Sequence, residues 1–116
     1  MVIIGVYGTL RDGWTNHYTY NVNSGVHIGV GTTNELALYV KGLPFAIVQK
    51  GKLVLDVYDV ANIDYHNIAL MELSAGYTEV DHVIKMNNGK KVTAKVFTYP
   101  MKIGKLIKSG DFNERQ

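Results

Sequence analysis

The chain has 116 residues, of which 47% are hydrophobic and 19% charged, and a formal net charge of +2. That size and composition predict one globular domain over residues 1–116, and so small a charge excess gives by itself no argument for nucleic acid or a membrane surface, neither of which is expected as a partner. With no cysteine, disulfide staples and thiolate chemistry are excluded; no apolar run reaches the roughly 18 residues of a membrane helix, and without a basic-then-apolar leader the expected location is the cytoplasm.

Met1 to Val6 is apolar and β-branched, as a buried strand is. It breaks into turn chemistry at Tyr7-Gly8-Thr9-Leu10-Arg11-Asp12-Gly13. A buried strand that stops in a glycine-containing loop can aim backbone N–H groups at a small anion. Tyr7 to Leu10 is therefore a candidate ligand cradle, against the plainer reading of a tight turn. Residues 14–25 are polar and aromatic without a period and read as a loop with one helical turn. Asn16 and His17 fall near the first loop, and His17 reads more simply as a surface histidine.

Residues 26–33 alternate, 35–40 and 45–49 are short apolar runs, and 53–60 forms another strand. Together they predict a β-meander. Asn62 offers a helix cap, and residues 63–73 predict a short helix with Ile63, Ile68, Leu70, Met71 and Leu73 on a partly buried face. Gly76 suits the left-handed position after it. Residues 77–86 and 91–99 read as strands joined by a hairpin at Asn87-Asn88-Gly89-Lys90. Residues 101–109 predict a turn or two of basic helix, and 111–116 a loose tail. The late lysines (85, 90, 91, 95, 102, 105 and 108) read as a solvated face. The order implies an α+β fold: a small, mixed, barrel-like sheet with one main short helix.

The four histidines show no ligand spacing, so a metal site is not expected. No serine sits in a nucleophile elbow, and no glycine fingerprint for phosphate leads a strand into a helix.

Tyr7-Gly8-Thr9-Leu10-Arg11 after an N-terminal strand, with Gly13 and Asn16 following, resembles the opening motif of the γ-glutamylcyclotransferase-like (AIG2-like) family. Tyr39, Gly42 and Pro44, then Glu72, Gly76 and Tyr77, then Val96 to Tyr99, then Ser109-Gly110-Asp111-Phe112 continue the resemblance over most of the chain. It implies the barrel-like fold and a cofactor-free, metal-free release of 5-oxoproline from a γ-glutamyl amine or peptide. It also implies Glu72 as acid/base, with Tyr7, Gly8, Thr9, Leu10, Asn16, Pro44, Tyr77 and Tyr99 around the substrate. Arg11 is open to two readings, a partner for an acidic substrate group or an exposed salt bridge. Leu55, Ala69 and Glu79 depart from the family pattern, which keeps a non-catalytic binding module as the alternative.

Overall fold

β1 (Val2–Val6) is the first strand of the computed structural model, which describes residues 1–114. It pairs antiparallel with β5 (Leu53–Val60) and parallel with β7 (Lys91–Thr98). β5 pairs with β2 (Val26–Thr33), β2 with β6 (Thr78–Met86), and β6 with β7. The sheet closes into a five-stranded barrel in the order β1-β5-β2-β6-β7. With its one parallel pairing the barrel is mixed, and α1 (Thr15–Thr19) is only five residues long beside α2 (Asn62–Ser74), so the α+β expectation holds.

Strand alternation divides the core in two. Leu53, Leu55 and Val57 of β5 point one way, with Ile84, Met86, Ala94 and Val96, and fill the barrel. Ile4, Val6, Tyr58 and Val60 point the other way and pack with Ile68 of α2. Tyr7 continues the inward set of β1, so the first loop starts from a buried anchor. Among the described residues no helix is long and apolar enough to cross a membrane.

Residues 26–60 are not a meander. β2 skips its neighbour in sequence and pairs with β5, while β3 (Leu36–Lys41) and β4 (Leu43–Val48) leave the barrel as a hairpin. A three-residue strand, β8 (Lys105–Ile107), joins them in a second sheet of order β4-β3-β8. Each strand's local pattern is the same in either topology, so periodicity cannot choose its partner. β8 also replaces the expected basic helix: Ile107 pairs with Leu38 and buries its side chain, which one turn of helix at this edge would not do. The small sheet's Leu36, Leu38 and Ala46 share the core inside the barrel.

Two further expectations change at α2 and at the end of the chain. Ala61, not Asn62, occupies the N-cap, and the Asn62 side-chain oxygen accepts a hydrogen bond from the Met1 amino group at 2.9 Å. Ile68 is the buried residue of α2, supported by Tyr65, Ala69 and Met71, whereas Ile63, Leu70 and Leu73 are exposed. The expected tail is structured at least through Glu114, where Phe112–Glu114 forms a 3-10 turn; residues 115–116 lie outside the described residues. Phe112 is fully buried and its ring lies 5.0 Å from that of Trp14. Phe112→Ala should therefore cost about 3–5 kcal/mol of stability in urea denaturation, the range for truncating a buried aromatic. A cost under about 1 kcal/mol would return this segment to a tail.

Candidate active site

The loop leaving β1 is held by hydrogen bonds from several sides. Tyr7 turns inward, and its hydroxyl donates to the Phe97 carbonyl at 2.5 Å while accepting from the Ala46 N–H at 3.2 Å. It thus ties the loop to β7 and β4. Burial pushes the Tyr7 phenol well above its ordinary range, so it stays protonated. Gly8 follows, and a Cβ there would lie 2.3 Å from Cγ of Pro44. The Arg11 N–H donates back to the Gly8 carbonyl at 3.0 Å, closing the turn. The N–H groups of Gly8, Thr9 and Leu10 make no hydrogen bond among the described residues.

α1 braces the same loop. Asn16 Nδ2 donates to Thr9 Oγ1 at 3.1 Å, and His17 Nδ1 lies 2.8 Å from the Leu10 carbonyl. A carbonyl only accepts, so Nδ1 carries the proton. His17 is buried, not a surface histidine, and its ring meets Tyr58 edge-on at 5.5 Å.

The opposite wall is the end of α2. Gly76 adopts φ +92°, the left-handed conformation that glycine takes without strain. This lets the Tyr77 N–H reach the Glu72 carbonyl at 3.0 Å and the Gly76 N–H reach that of Leu73 at 3.1 Å. The pair is a Schellman motif, and it fixes Glu72 and Tyr77 relative to one another. The Tyr77 hydroxyl donates to the Pro44 carbonyl at 2.7 Å, joining this wall to β4. No donor among the described residues meets the Glu72 carboxylate, and burial pushes its pKa up to about 7. Its place in the last turn of α2, at the negative end of the helix dipole, acts in the same direction.

Between the two walls lies a cavity of about 130 Å3 that opens to solvent. Cavities near 150 Å3 accept a guest about the size of benzene. Tyr7, Gly8, Thr9, Leu10, Asn16, Pro44, Glu72 and Tyr77 all line it. Tyr99 does not. Its ring stands edge-on behind Tyr77 at 5.1 Å and against Phe45 at 4.8 Å. Arg11 neither faces the cavity nor forms an exposed salt bridge: it is buried and paired with Asp56 and Asp111, each at 2.7 Å.

Leu43, Met71, Ala75, Phe97, Gly5 and Val6 complete the lining. Sequence reasoning missed them, although Met71 and Ala75 flank Glu72 and Leu43 precedes Pro44. None of the three departing residues lines the cavity. Leu55 is inside the barrel, Ala69 packs from α2 onto the cluster around Ile68, and Glu79 accepts a hydrogen bond from the Tyr65 hydroxyl. Among the described residues no three of His, Asp and Glu are grouped to hold a metal ion.

Free N–H groups and a carboxyl group whose pKa burial raises to about 7, lining one cavity, suit proton transfer beside a bound anion. The family described as "Gamma-glutamyl cyclotransferase, AIG2-like" matches residues 4–114. A protein of Methanocaldococcus jannaschii named "Putative gamma-glutamylcyclotransferase" is 34% identical over 98% of each chain. One of Pyrococcus horikoshii bearing the same name is 36% identical over 97% of this chain and 92% of its own. Its crystal structure superposes with a TM-score of 0.83 over 98% of this chain and 92% of that one. A mouse AIG2-like protein, 23% identical, shares the fold with a TM-score of 0.73 over 84% of this chain and 76% of its own. With the family matched over residues 4–114 and relatives above 30% identity over almost the whole chain, the chain belongs to the AIG2-like γ-glutamyl cyclotransferase family.

Proposed function

We propose that this protein releases 5-oxoproline from a γ-glutamyl amine or γ-glutamyl peptide by intramolecular aminolysis, with Glu72 as the acid/base. The observation that carries the reading is the Glu72 carboxylate, raised to about 7, in the same cavity as the free N–H groups of Gly8 to Leu10. A binding module would have no need of a carboxyl group poised to take up and return a proton near neutrality.

In this reading the cradle N–H groups bind the substrate α-carboxylate. Asn16 occupies one lone pair of the Thr9 hydroxyl, which leaves its proton free to donate to the same group. The phenols of Tyr7 and Tyr77 are committed to carbonyls of Phe97 and Pro44, so their rings serve as walls. Glu72 takes a proton from the substrate α-ammonium, and the freed amine attacks the γ-carbonyl. The new C–N bond closes a five-membered ring and leaves an oxyanion. Glu72 passes that proton to the leaving nitrogen, and the old C–N bond breaks. The carboxylate so freed takes the second proton from the ring nitrogen, so that 5-oxoproline departs with one ring N–H and the amine, receiving that proton too, departs as an ammonium. Nucleophile and electrophile are already tethered, and good orientation gives effective molarities of about 10⁵ M or more. The chain's own residues thus need only to fold the substrate and relay protons from the α-nitrogen to the leaving nitrogen, which makes a cofactor unnecessary to this mechanism.

The test offers γ-glutamyl amines, γ-glutamyl amino acids and glutathione to the purified protein. Equal amounts of 5-oxoproline and free amine are expected from at least one. Tight binding of 5-oxoproline or glutamate with no release from any member would favour the non-catalytic module.

A further inference from the structure

Arg11 follows the cradle directly and is the one Lys, Arg, Asp or Glu side chain that is buried among the described residues. Its Nε donates to Asp56 Oδ2 on β5, and its Nη1 to Asp111 Oδ1, 100 residues away in the chain. The other oxygen of Asp56 lies 2.9 Å from His27 Nε2. The segment carrying Asp111 is itself tied down next to the loop. Asn113 Oδ1 accepts from the Trp14 indole at 3.1 Å, and Phe112 packs against the Trp14 ring.

With two carboxylates on its guanidinium, Arg11 has no charge to offer a substrate. A buried ion pair also adds little net stability over an apolar replacement of the same shape, but it holds its partners in one geometry. Here the geometry held is the exit of the turn that carries the free N–H groups of Gly8, Thr9 and Leu10. His17 and Asn16 hold the same turn from α1.

We propose that Arg11 and Asp111 are positioning residues, and that residues 111–113 form a strap which, through the Arg11 guanidinium, keeps the cradle in the shape that binds the substrate α-carboxylate. The proposal rests on the reading of this cavity as the γ-glutamyl site. It gives the end of the chain a role in substrate affinity, although no residue of the strap lines the cavity.

Asp111→Asn removes the charge and keeps an oxygen to accept from the Asn113 N–H, which lies 2.9 Å from Asp111 Oδ1. KM for the γ-glutamyl substrate should rise about tenfold while kcat stays within about threefold, because the loss falls on ground-state binding. Amide hydrogen exchange at Arg11, whose N–H closes the turn on the Gly8 carbonyl, should quicken about tenfold with α2 unchanged, the mark of a local opening. Asp111→Glu, which restores the charge, should recover most of the affinity.

Unchanged KM and unchanged exchange in a folded Asp111→Asn would overturn the proposal, as would exchange accelerated throughout the chain. If Asp111→Asn does not fold, Arg11→Lys carries the same test, since an ammonium lacks the fork that bridges two carboxylates. If the wild-type protein turns over no γ-glutamyl substrate, the reading of the site fails. The exchange measurement then decides by itself whether the strap holds the loop.

Discussion

Glu72→Gln should lower kcat for 5-oxoproline release by about 10²- to 10⁴-fold, the contribution of a positioned acid/base group, with little change in KM. Glutamine keeps the shape of the side chain but can neither accept nor return the proton. The fold should survive, and at neutral pH and above it should gain. The folded-state pKa of Glu72 is raised from 4.5 to about 7, so the folded protein binds this proton more tightly than the unfolded chain. Stability is then fully present below pH 4.5 and declines as pH rises through 7, by at most about 3 kcal/mol for a half-buried group. Glutamine carries no such penalty. Thermal melting at pH 8 should thus place Glu72→Gln at or above the wild type. A wild-type rate in this variant would remove Glu72 from the mechanism.

Gly8→Ala should reduce kcat/KM by about 100-fold, the scale at which an ångström of misplacement tells. The added Cβ would fall 2.3 Å from Cγ of Pro44, and a proline ring has no rotamer by which to withdraw. Either the cradle lifts away or β4 gives way. β4 is pinned by the Tyr77 hydroxyl on the Pro44 carbonyl and by the Tyr7 hydroxyl on the Ala46 N–H. The loop should therefore move, and its N–H groups with it. The effect should fall mainly on KM, and steady-state kinetics with a γ-glutamyl amine would show it. Unchanged kinetics would mean that the Gly8 N–H takes no part in binding.

The strands, the main helix and its glycine stop were legible in the sequence because each rests on local chemistry. Hydrophobic alternation marks β5, Asn88-Gly89 marks the hairpin of β6 and β7, and Gly76 marks the end of α2. Pairing was not legible, since nothing in residues 26–33 distinguishes β5 from β3 as a partner. The second sheet was lost for the same reason: Lys105 to Ile107 is too short to show a period and becomes a strand only beside β3. The motif brought Glu72, Tyr77, Pro44 and the first loop together on the page, and the structure brings them around one cavity. What escaped was the support. Arg11 and His17 look like surface residues because burial of a charge or an imidazole depends on partners distant in sequence, here Asp56, Asp111 and the Leu10 carbonyl. Tyr99 was misplaced for a related reason. It shares the aromatic strand end with the site, but its ring packs on Tyr77 and Phe45 and does not line the cavity.

The measurement that tests the account most directly is the pH dependence of kcat/KM for 5-oxoproline release, which reports ionisations of the free enzyme and free substrate. Release needs the Glu72 carboxylate together with the substrate ammonium. The account predicts a rise with a midpoint near 7, the pKa to which burial lifts Glu72, and a fall where the substrate amine loses its proton. The rise should vanish from the residual activity of Glu72→Gln. A midpoint in the ordinary carboxylate range near 4.5, or the same rise in Glu72→Gln, would contradict it.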